Sequence, residues 1–284
     1  MTNLEISNVE FKIGEFGRST LDIQNGGFMK IAILLKQVPD TETKIRTKPD
    51  GSGIETDGIK YVVSPYDEFA IEEALKTKEK NPGSEVTVIS VGPQRVVEAM
   101  RTALAMGADK AIHIDDEGSN PDSYVTAKAL AKAIGDQGFE VIFTGKQGID
   151  QDNGQVAQAV AEFLGWPQVM ILEKLELAGG KAMATRRVSG GAKEVYEVSL
   201  PAIFGCEKGL NTPRYASLPG IMKAKTKPLT TLKISELKGD ATPKVVINNF
   251  RPPPEKAPGK MIPGEPEQAV KELVRLLREE AKAI

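Results

Sequence analysis

The chain has 284 residues, 40% hydrophobic and 27% charged, with a formal net charge of −2. That is the composition of a globular protein large enough to bury its own core, and its charge sets up no field that favours nucleic acid. A single cysteine, Cys206, excludes an intrachain disulfide and fits a reducing cytoplasm, and with His113 as the single histidine it argues against zinc or iron–sulfur sites.

Residues 1–28 are polar, without sustained period, until an abrupt apolar run begins at Met29. Acids occur throughout this stretch and it holds no apolar core, so no secretory signal is expected. Two readings of it stand side by side. One is a tail without order. The other is a misplaced start: the guanine-rich codons of Gly26-Gly27 would hide a ribosome-binding site ahead of Met29. A peptide spanning Ile6 to Phe16 in the mass spectrum of the native protein refutes the second.

From Lys30 strand and helix alternate. "KIAILLK" is a short buried strand ending in the turn-like "QVPDTE". "SPYDEFAIEEALKTKEK" places Phe69, Ile71, Ala74 and Leu75 on one side of a helix, with Ser64 or Asp67 as cap. "EVTVISVGP" is a strand, and "QRVVEAMRTALAMGA" is a helix closing at Gly107. "KAIHID" is a strand, followed by the helix "PDSYVTAKALAKAIGDQG", with Pro121 near its first turn and Gly135 near its end. "FEVIFTGK" and "NGQVAQAVAEFLG" add a strand and a helix. The spacing predicts an α/β fold, a Rossmann-like open, mostly parallel sheet with helices on both faces. No apolar run approaches the length needed to cross a bilayer, so no membrane insertion is expected.

After Trp166 the rhythm changes. "KLELAGGKAMATRRVSGGAKEVYEVSLPAIFGC" reads as three short antiparallel strands, a small extension with turns at Gly179-Gly180 and Gly190-Gly191. Glu207 to Lys227 is an arm of little periodicity, and "NNFRPPPEKAPGKMIPGEPE" is proline-rich and extended. Pro266 to Ile284 is amphipathic, with Val270, Leu273, Val274 and Leu277 on one face. That face must bury against its own body or against another chain.

In an open parallel sheet, ligands sit outside the carboxyl ends of the strands. Three ends qualify: Leu34 to Gln37, Ser90 to Pro93, and Gly145 to Gln147. The third runs on through "GIDQDNGQV" into a helix, whose first-turn amides lie at the positive end of the helix dipole and suit a phosphate. Asp152 or Asn153 is expected to cap that turn, contributing about 1 kcal/mol. Asp150 is left for a ribose hydroxyl or a backbone amide, and Gly148 and Gly154 allow close backbone approach. A capped helix start without ligand is the plainer alternative. The missing G-x-G-x-x-G and G-x-x-x-x-G-K-[ST] patterns argue against NAD-type and P-loop sites.

"VSGGAKE" at Val188 resembles the opening of an ATP-pyrophosphatase loop but lacks the following Asp-Ser, and reads as a hairpin turn. His113 reads as a structural histidine and Cys206 as a small core residue. One histidine supports no nucleophile–base pair, so catalysis by the chain's own side chains gains little support. The arm "NTPRYASLPGIMKAKTKPL" displays Tyr215, Leu218, Ile221 and Met222, then Lys223, Lys225 and Lys227. Apolar residues on a flexible, basic-flanked segment suit a docking surface; a loop packed on its own domain is the alternative.

"DGIKYVVSPYDEFAIEEAL", "RTALAMGADKAIHI", "GKQGIDQDNGQVAQAVAEFLGWPQ" and "PRYASLPGIMKAK" together resemble the β subunits of electron transfer flavoproteins, in order and spacing from Met29 to about Leu229. The resemblance implies an electron carrier, not an enzyme, in a heterodimer whose α subunit holds most of a redox-active FAD. It implies a second nucleotide buried in β, AMP in the ordinary branch and another FAD in the electron-bifurcating branch. The family's contacts to that nucleotide carry over onto Leu34, onto Ser64, Pro65, Tyr66 and Asp67, onto Val91 and Gly92, and onto the loop Gly145, Lys146, Gln147, Gly148, Ile149, Asp150, Gln151, Asp152, Asn153, Gly154, Gln155 and Val156. Residues from about Cys206 to Pro228 correspond to the recognition loop that anchors partner dehydrogenases. Leu218 falls on the leucine that enters the partner's apolar pocket, and Lys223 on a lysine methylated in some members. Thr226 replaces a second such lysine.

Asp40 and Thr41 fall near the flavin of α, with Thr41 where mammalian-type members place a tyrosine, so that contact is altered. Asn153-Gly154-Gln155-Val156 matches neither the Asn-Gln-Thr of AMP-binding members nor the Thr-Ala-Gln-Val of bifurcating ones, and Gln151 replaces a glycine usual in the latter. AMP is the expectation. The organisation implied is an extension (1–28), a nucleotide-binding domain (29–205), a recognition loop (206–228), and an arm and helix packing on α (229–284). The role implied is a cytoplasmic shuttle in fatty acid β-oxidation, from acyl-CoA dehydrogenase-type donors to a quinone reductase, with no nucleic acid partner. A stand-alone adenine-nucleotide-binding regulatory module would share the sheet but would not require the arm or the last helix.

Overall fold

A computed structural model of the protein describes residues 28–255 and 258–284; the two readings of the N-terminal stretch concern residues outside that range. One compact unit comprises the described residues up to Thr43 together with Asp57–Val246, and a smaller one comprises Lys44–Thr56 and Ile247–Ile284.

In the larger unit the chain runs through β1 (Lys30–Leu34), the short strands β2 (Gln37–Pro39) and β3 (Tyr61–Val63), α1 (Pro65–Lys80), β4 (Glu85–Gly92), α2 (Val96–Met106), β5 (Lys110–Asp115) and α3 (Ser123–Ile134). It continues with β6 (Val141–Gly145), α4 (Val156–Leu164), β7 (Gln168–Ala178), β8 (Lys181–Arg187), β9 (Lys193–Ser199), β10 (Ala202–Cys206), α5 (Leu218–Ala224), β11 (Leu229–Lys233) and α6 (Ile234–Leu237). The main sheet has the order β11-β5-β4-β1-β6-β10-β7-β8-β9. It is parallel from β11 through β7, and β8 and β9 extend it antiparallel.

Alternation along the central strands builds two cores. Ile31, Ile33 and Leu35 join Val86, Val88, Phe143 and Phe204 under α1 and α2. Ala32 and Leu34 join Ile89, Ile142 and Ile203 on the opposite face, with α3 and α4. Both faces are thus covered, which is why these strands read as continuous apolar runs. From β1 the sheet grows through β4 to β5, and the chain then returns by α3 to β6 on the other side of β1. This reversal between β1 and β6 is the place where open α/β sheets form a crevice.

Several elements differ from expectation. The last of the three predicted antiparallel strands stops at Ser199, and Ala202–Cys206 returns as a parallel strand between β6 and β10's other neighbour, β7. Every residue of β10 is buried, so its pattern is that of a central strand. The β2–β3 pair, at three residues each, is too short to show a period, and the edge strand β11 is largely exposed. The fourth helix starts at Val156 rather than near Asn153, because Asp152 and Gly154 take left-handed backbone conformations, with φ of 52° and 54°.

In the smaller unit, Thr47 and Ile54 form an isolated antiparallel bridge, and the Phe250 amide donates to Gly51 O at 2.9 Å. Its helix α7 (Pro266–Glu279) has no buried residue, so Val270 and Leu273 lie exposed on the amphipathic face predicted for them.

Candidate functional site

At the sheet reversal the carboxyl ends of β1 and β6 lie side by side, Leu34 opposite Thr144. Asp67, in the first turn of α1, joins them: its Oδ2 accepts from the Lys36 amide at 2.7 Å and its Oδ1 from the Gly145 amide at 2.9 Å. Asp67 is therefore not the helix cap. Ser64 occupies the cap position, yet its side chain makes no capping bond. The Ser64 hydroxyl is fully buried and has no hydrogen-bond partner among the described residues. An unpaired buried hydroxyl costs about 1–3 kcal/mol, so something polar is expected to complete it.

Burial pushes the Asp67 carboxyl up to about 7, against the pull of the Lys36 and Gly145 amides and the Lys36 ammonium. Its folded-state value then lies above its unfolded one, so the folded state keeps the proton longer. Stability falls as pH rises from about 4 to about 7, by on the order of 4 kcal/mol. Asp67→Asn is expected to remove that slope. Urea midpoints measured across this range should fall less in the variant than in the unmodified protein, and parallel curves would count against the assignment.

Beyond Gly145 the loop turns its acids onto the protein's own donors. The Lys36 ammonium contacts Asp150 Oδ1 at 2.7 Å, so Asp150 holds a side chain rather than a backbone amide. Gln147 donates to Asp152 Oδ1 at 2.7 Å, and the Asp152 amide donates to Gly148 O at 2.9 Å. Asn153 donates to Gln151 Oε1 at 3.2 Å and to Ser123 Oγ at 3.4 Å. Neither Asp152 nor Asn153 caps the helix, contrary to expectation: Gln155 stands at the cap position and no side chain accepts from the first turn. Among the described residues, the amides opening α4 thus meet no side-chain acceptor at the positive end of the helix. Lys146 pairs with Glu207 Oε1 at 2.7 Å, which raises its pKa, and lies 4.8 Å from the Tyr66 ring centroid.

The remaining predicted residues sit on the same edge or beside it. Leu34 is buried at the end of β1, Pro65 and Tyr66 open α1, and Val91 and Gly92 end β4. Ile149 lies half-buried in the loop. Asp40, after β2, pairs with Lys60 at 2.7 Å, and Thr41 beside it is exposed. His113 is fully buried, with Nε2 2.8 Å from Gly92 O and Nδ1 without a partner among the described residues. Cys206 is buried in the core, and burial pushes its thiol well up.

The arm joins this cluster at its first residue, Glu207, through Lys146. Its apolar residues are exposed, Tyr215 at 98%, Leu218 at 80%, Met222 at 64% and Ile221 at 45%, with Lys223 beside them. The segment expected to be flexible is fastened at both ends. Ser217 caps α5 by accepting from the Gly220 amide at 3.1 Å, and Gly220 packs so closely on Ala105 O that no Cβ fits. Arg101 donates to Ala224 O at 2.6 Å and Lys227 O at 2.9 Å, while the Lys227 ammonium reaches Leu104 O at 2.8 Å. At the other end, Asn211 and Arg214 bond to α1. Sequence reasoning missed these anchors. The available signal was the adjacent pair Glu72-Glu73 set among the inward residues Ile71 and Ala74.

Among the described residues no group of three or more histidine, cysteine or acidic side chains could hold a metal ion, and no helix is long and apolar enough to cross a membrane. A family profile for the electron transfer flavoprotein domain matches residues 52–237. The chain is 44% identical over 262 residues to the electron transfer flavoprotein subunit beta of Bacillus subtilis, covering 90% of this chain and 100% of that one. It is 41% identical over 259 residues to the mitochondrial electron transfer flavoprotein subunit beta of Arabidopsis thaliana, with 90% and 100% covered. It is 37% identical over 254 residues to the human electron transfer flavoprotein subunit beta, with 88% and 97% covered.

Proposed function

The chain belongs to the electron transfer flavoprotein β-subunit family, and from that premise we propose that it pairs with an α subunit to shuttle electrons in the cytoplasm. The donors are acyl-CoA dehydrogenase-type flavoproteins and the acceptor is a quinone reductase. FAD, held mainly by α, supplies the electron chemistry when bound; this chain binds, orients and docks. Asp40 and Thr41 face the flavin side of α, and the apolar face of α7 packs on that subunit.

The pocket at the sheet reversal takes AMP. One observation carries a nucleotide here: at the crevice of an open α/β sheet, the loop after β6 leads into a helix start without a side-chain acceptor, and Ser64, held to Lys36 O beyond β1, keeps a buried hydroxyl without a partner among the described residues. In this reading the amides of Gly154 to Val156 hold the phosphate, Leu34 and Val91 line the apolar part, and Ser64 completes its hydrogen bonding on the nucleoside. Asp67, committed to two backbone amides, sets the spacing of the pocket walls. Lys36 offsets the charge of Asp150 beside the phosphate, and Asp152 turns a carboxylate oxygen onto Gln147.

The test is to co-express both subunits, denature the purified heterodimer and separate the released nucleotides. One FAD and one AMP per heterodimer is expected. Two FAD would move the protein to the bifurcating branch, and a colourless ATP-binding homodimer would sink the shuttle.

A further inference from the structure

The root of the arm is fixed by one ion-pair cluster. Glu72 lies on the inward side of α1 with its side chain 7% exposed. It accepts three hydrogen bonds from a single residue: the Arg214 amide at 3.1 Å, Nε at 2.8 Å and Nη2 at 2.9 Å. Nη1 of Arg214 reaches Glu79 at 2.6 Å. Three positions earlier, Asn211 donates to Phe69 O and to Glu73 Oε2, both at 2.9 Å. Immediately after Arg214 the chain carries Tyr215 and then Leu218, both almost wholly exposed.

A two-point guanidinium–carboxylate pair fixes geometry more tightly than a lysine would. Its net effect on stability is small, since removing both charges from water offsets much of their attraction. Such a pair at the root of an exposed apolar crest makes sense when the crest's orientation matters. Holding a contact surface in its bound arrangement removes ordering cost from association. We propose that Arg214, through Glu72 and Glu79, is a positioning residue that presents Tyr215, Leu218, Ile221 and Met222 to a flavin dehydrogenase in one preformed arrangement. This rests on the reading of the arm as the donor-docking surface.

The test uses the full heterodimer carrying Arg214→Met or Glu72→Gln, with a purified acyl-CoA dehydrogenase as electron donor. Glutamine at 72 keeps the shape and one acceptor and leaves no buried charge unpaired, so it decides alone if Arg214→Met fails to assemble. Amide hydrogen exchange over residues 215–224 is expected to accelerate about tenfold or more, and KM for the donor to rise roughly five- to tenfold. The kcat at saturating donor and the flavin content stay unchanged. An unchanged KM overturns the proposal whatever the exchange shows, and so does a loss of kcat that saturation does not restore. Leu218→Ala is the reference: if it too leaves KM unchanged, the docking reading itself fails. A raised KM in Leu218→Ala alone removes only the role of Arg214.

Discussion

In the heterodimer, Leu218→Ala is expected to raise KM for a dehydrogenase donor about 30-fold, the equivalent of about 2 kcal/mol for a truncated hot-spot side chain. Leu218 is 80% exposed on the first turn of α5, so its side chain has little to lose in folding and much to bury on docking. Nucleotide content, visible spectrum and thermal midpoint should therefore match the unmodified protein. Stopped-flow reduction by the donor over a range of concentrations makes the measurement, and superimposable curves would remove Leu218 from the docking surface. The substitution removes no charge and leaves Lys223 of α5 in place, so changing salt should alter the difference between the two proteins very little.

Gly145→Ala should produce the largest loss of stability and of the pocket's nucleotide. A Cβ at this position would collide with Asp67 Oδ1 and would come within 2.7 Å of Tyr66 Cβ and 2.9 Å of the Tyr66 carbonyl carbon. The last is backbone at the opening of α1 and cannot rotate aside. Overpacking costs about 1–3 kcal/mol, and displacing the Asp67 carboxylate from its two amides adds about 1.5–3 kcal/mol for each bond lost. With about 2–4 °C per kcal/mol for a domain of this size, the thermal midpoint should drop by roughly 10 °C or more. Gly53→Ala is the control, because nothing lies within 4 Å of a Cβ there and its φ lies outside the left-handed region. Equal midpoints and equal nucleotide content in the two variants would mean that the β1–β6 junction tolerates adjustment and that Asp67 does not set the pocket.

The Gly145 and Leu218 cases differ in how readily the sequence reveals them. Leu218 stands out because leucine among prolines, a glycine and lysines has no periodic partner, and the four family motifs include it. Gly145 is legible as the end of a strand, but its requirement for glycine is not. That requirement comes from Asp67 and Tyr66, 78 and 79 positions away. Helix caps show the same limit. Asp122 caps α3 by accepting from the Val125 amide at 2.9 Å, a local arrangement that short-range rules describe well. Asp67 and Asp152 look like equally good caps in the sequence and are not, because acceptance from Lys36, Gly145 and Gln147 competes for their oxygens.

Apart from the short β2–β3 pair, the order of strands and helices to Trp166, the buried nature of the central strands and the amphipathic last helix were determined by local pattern alone. Period and turn chemistry act over a few residues, so a single chain displays them directly. Only the tertiary structure decided that "AIFGC" is a central parallel strand, that the α4 opening lacks a side-chain acceptor, and that Arg214 seats on Glu72. Each depends on which group wins a carboxylate, a backbone amide or a place in the sheet. That competition is settled by packing, even where the competitors are close in sequence, as Gln147 and Asp152 are.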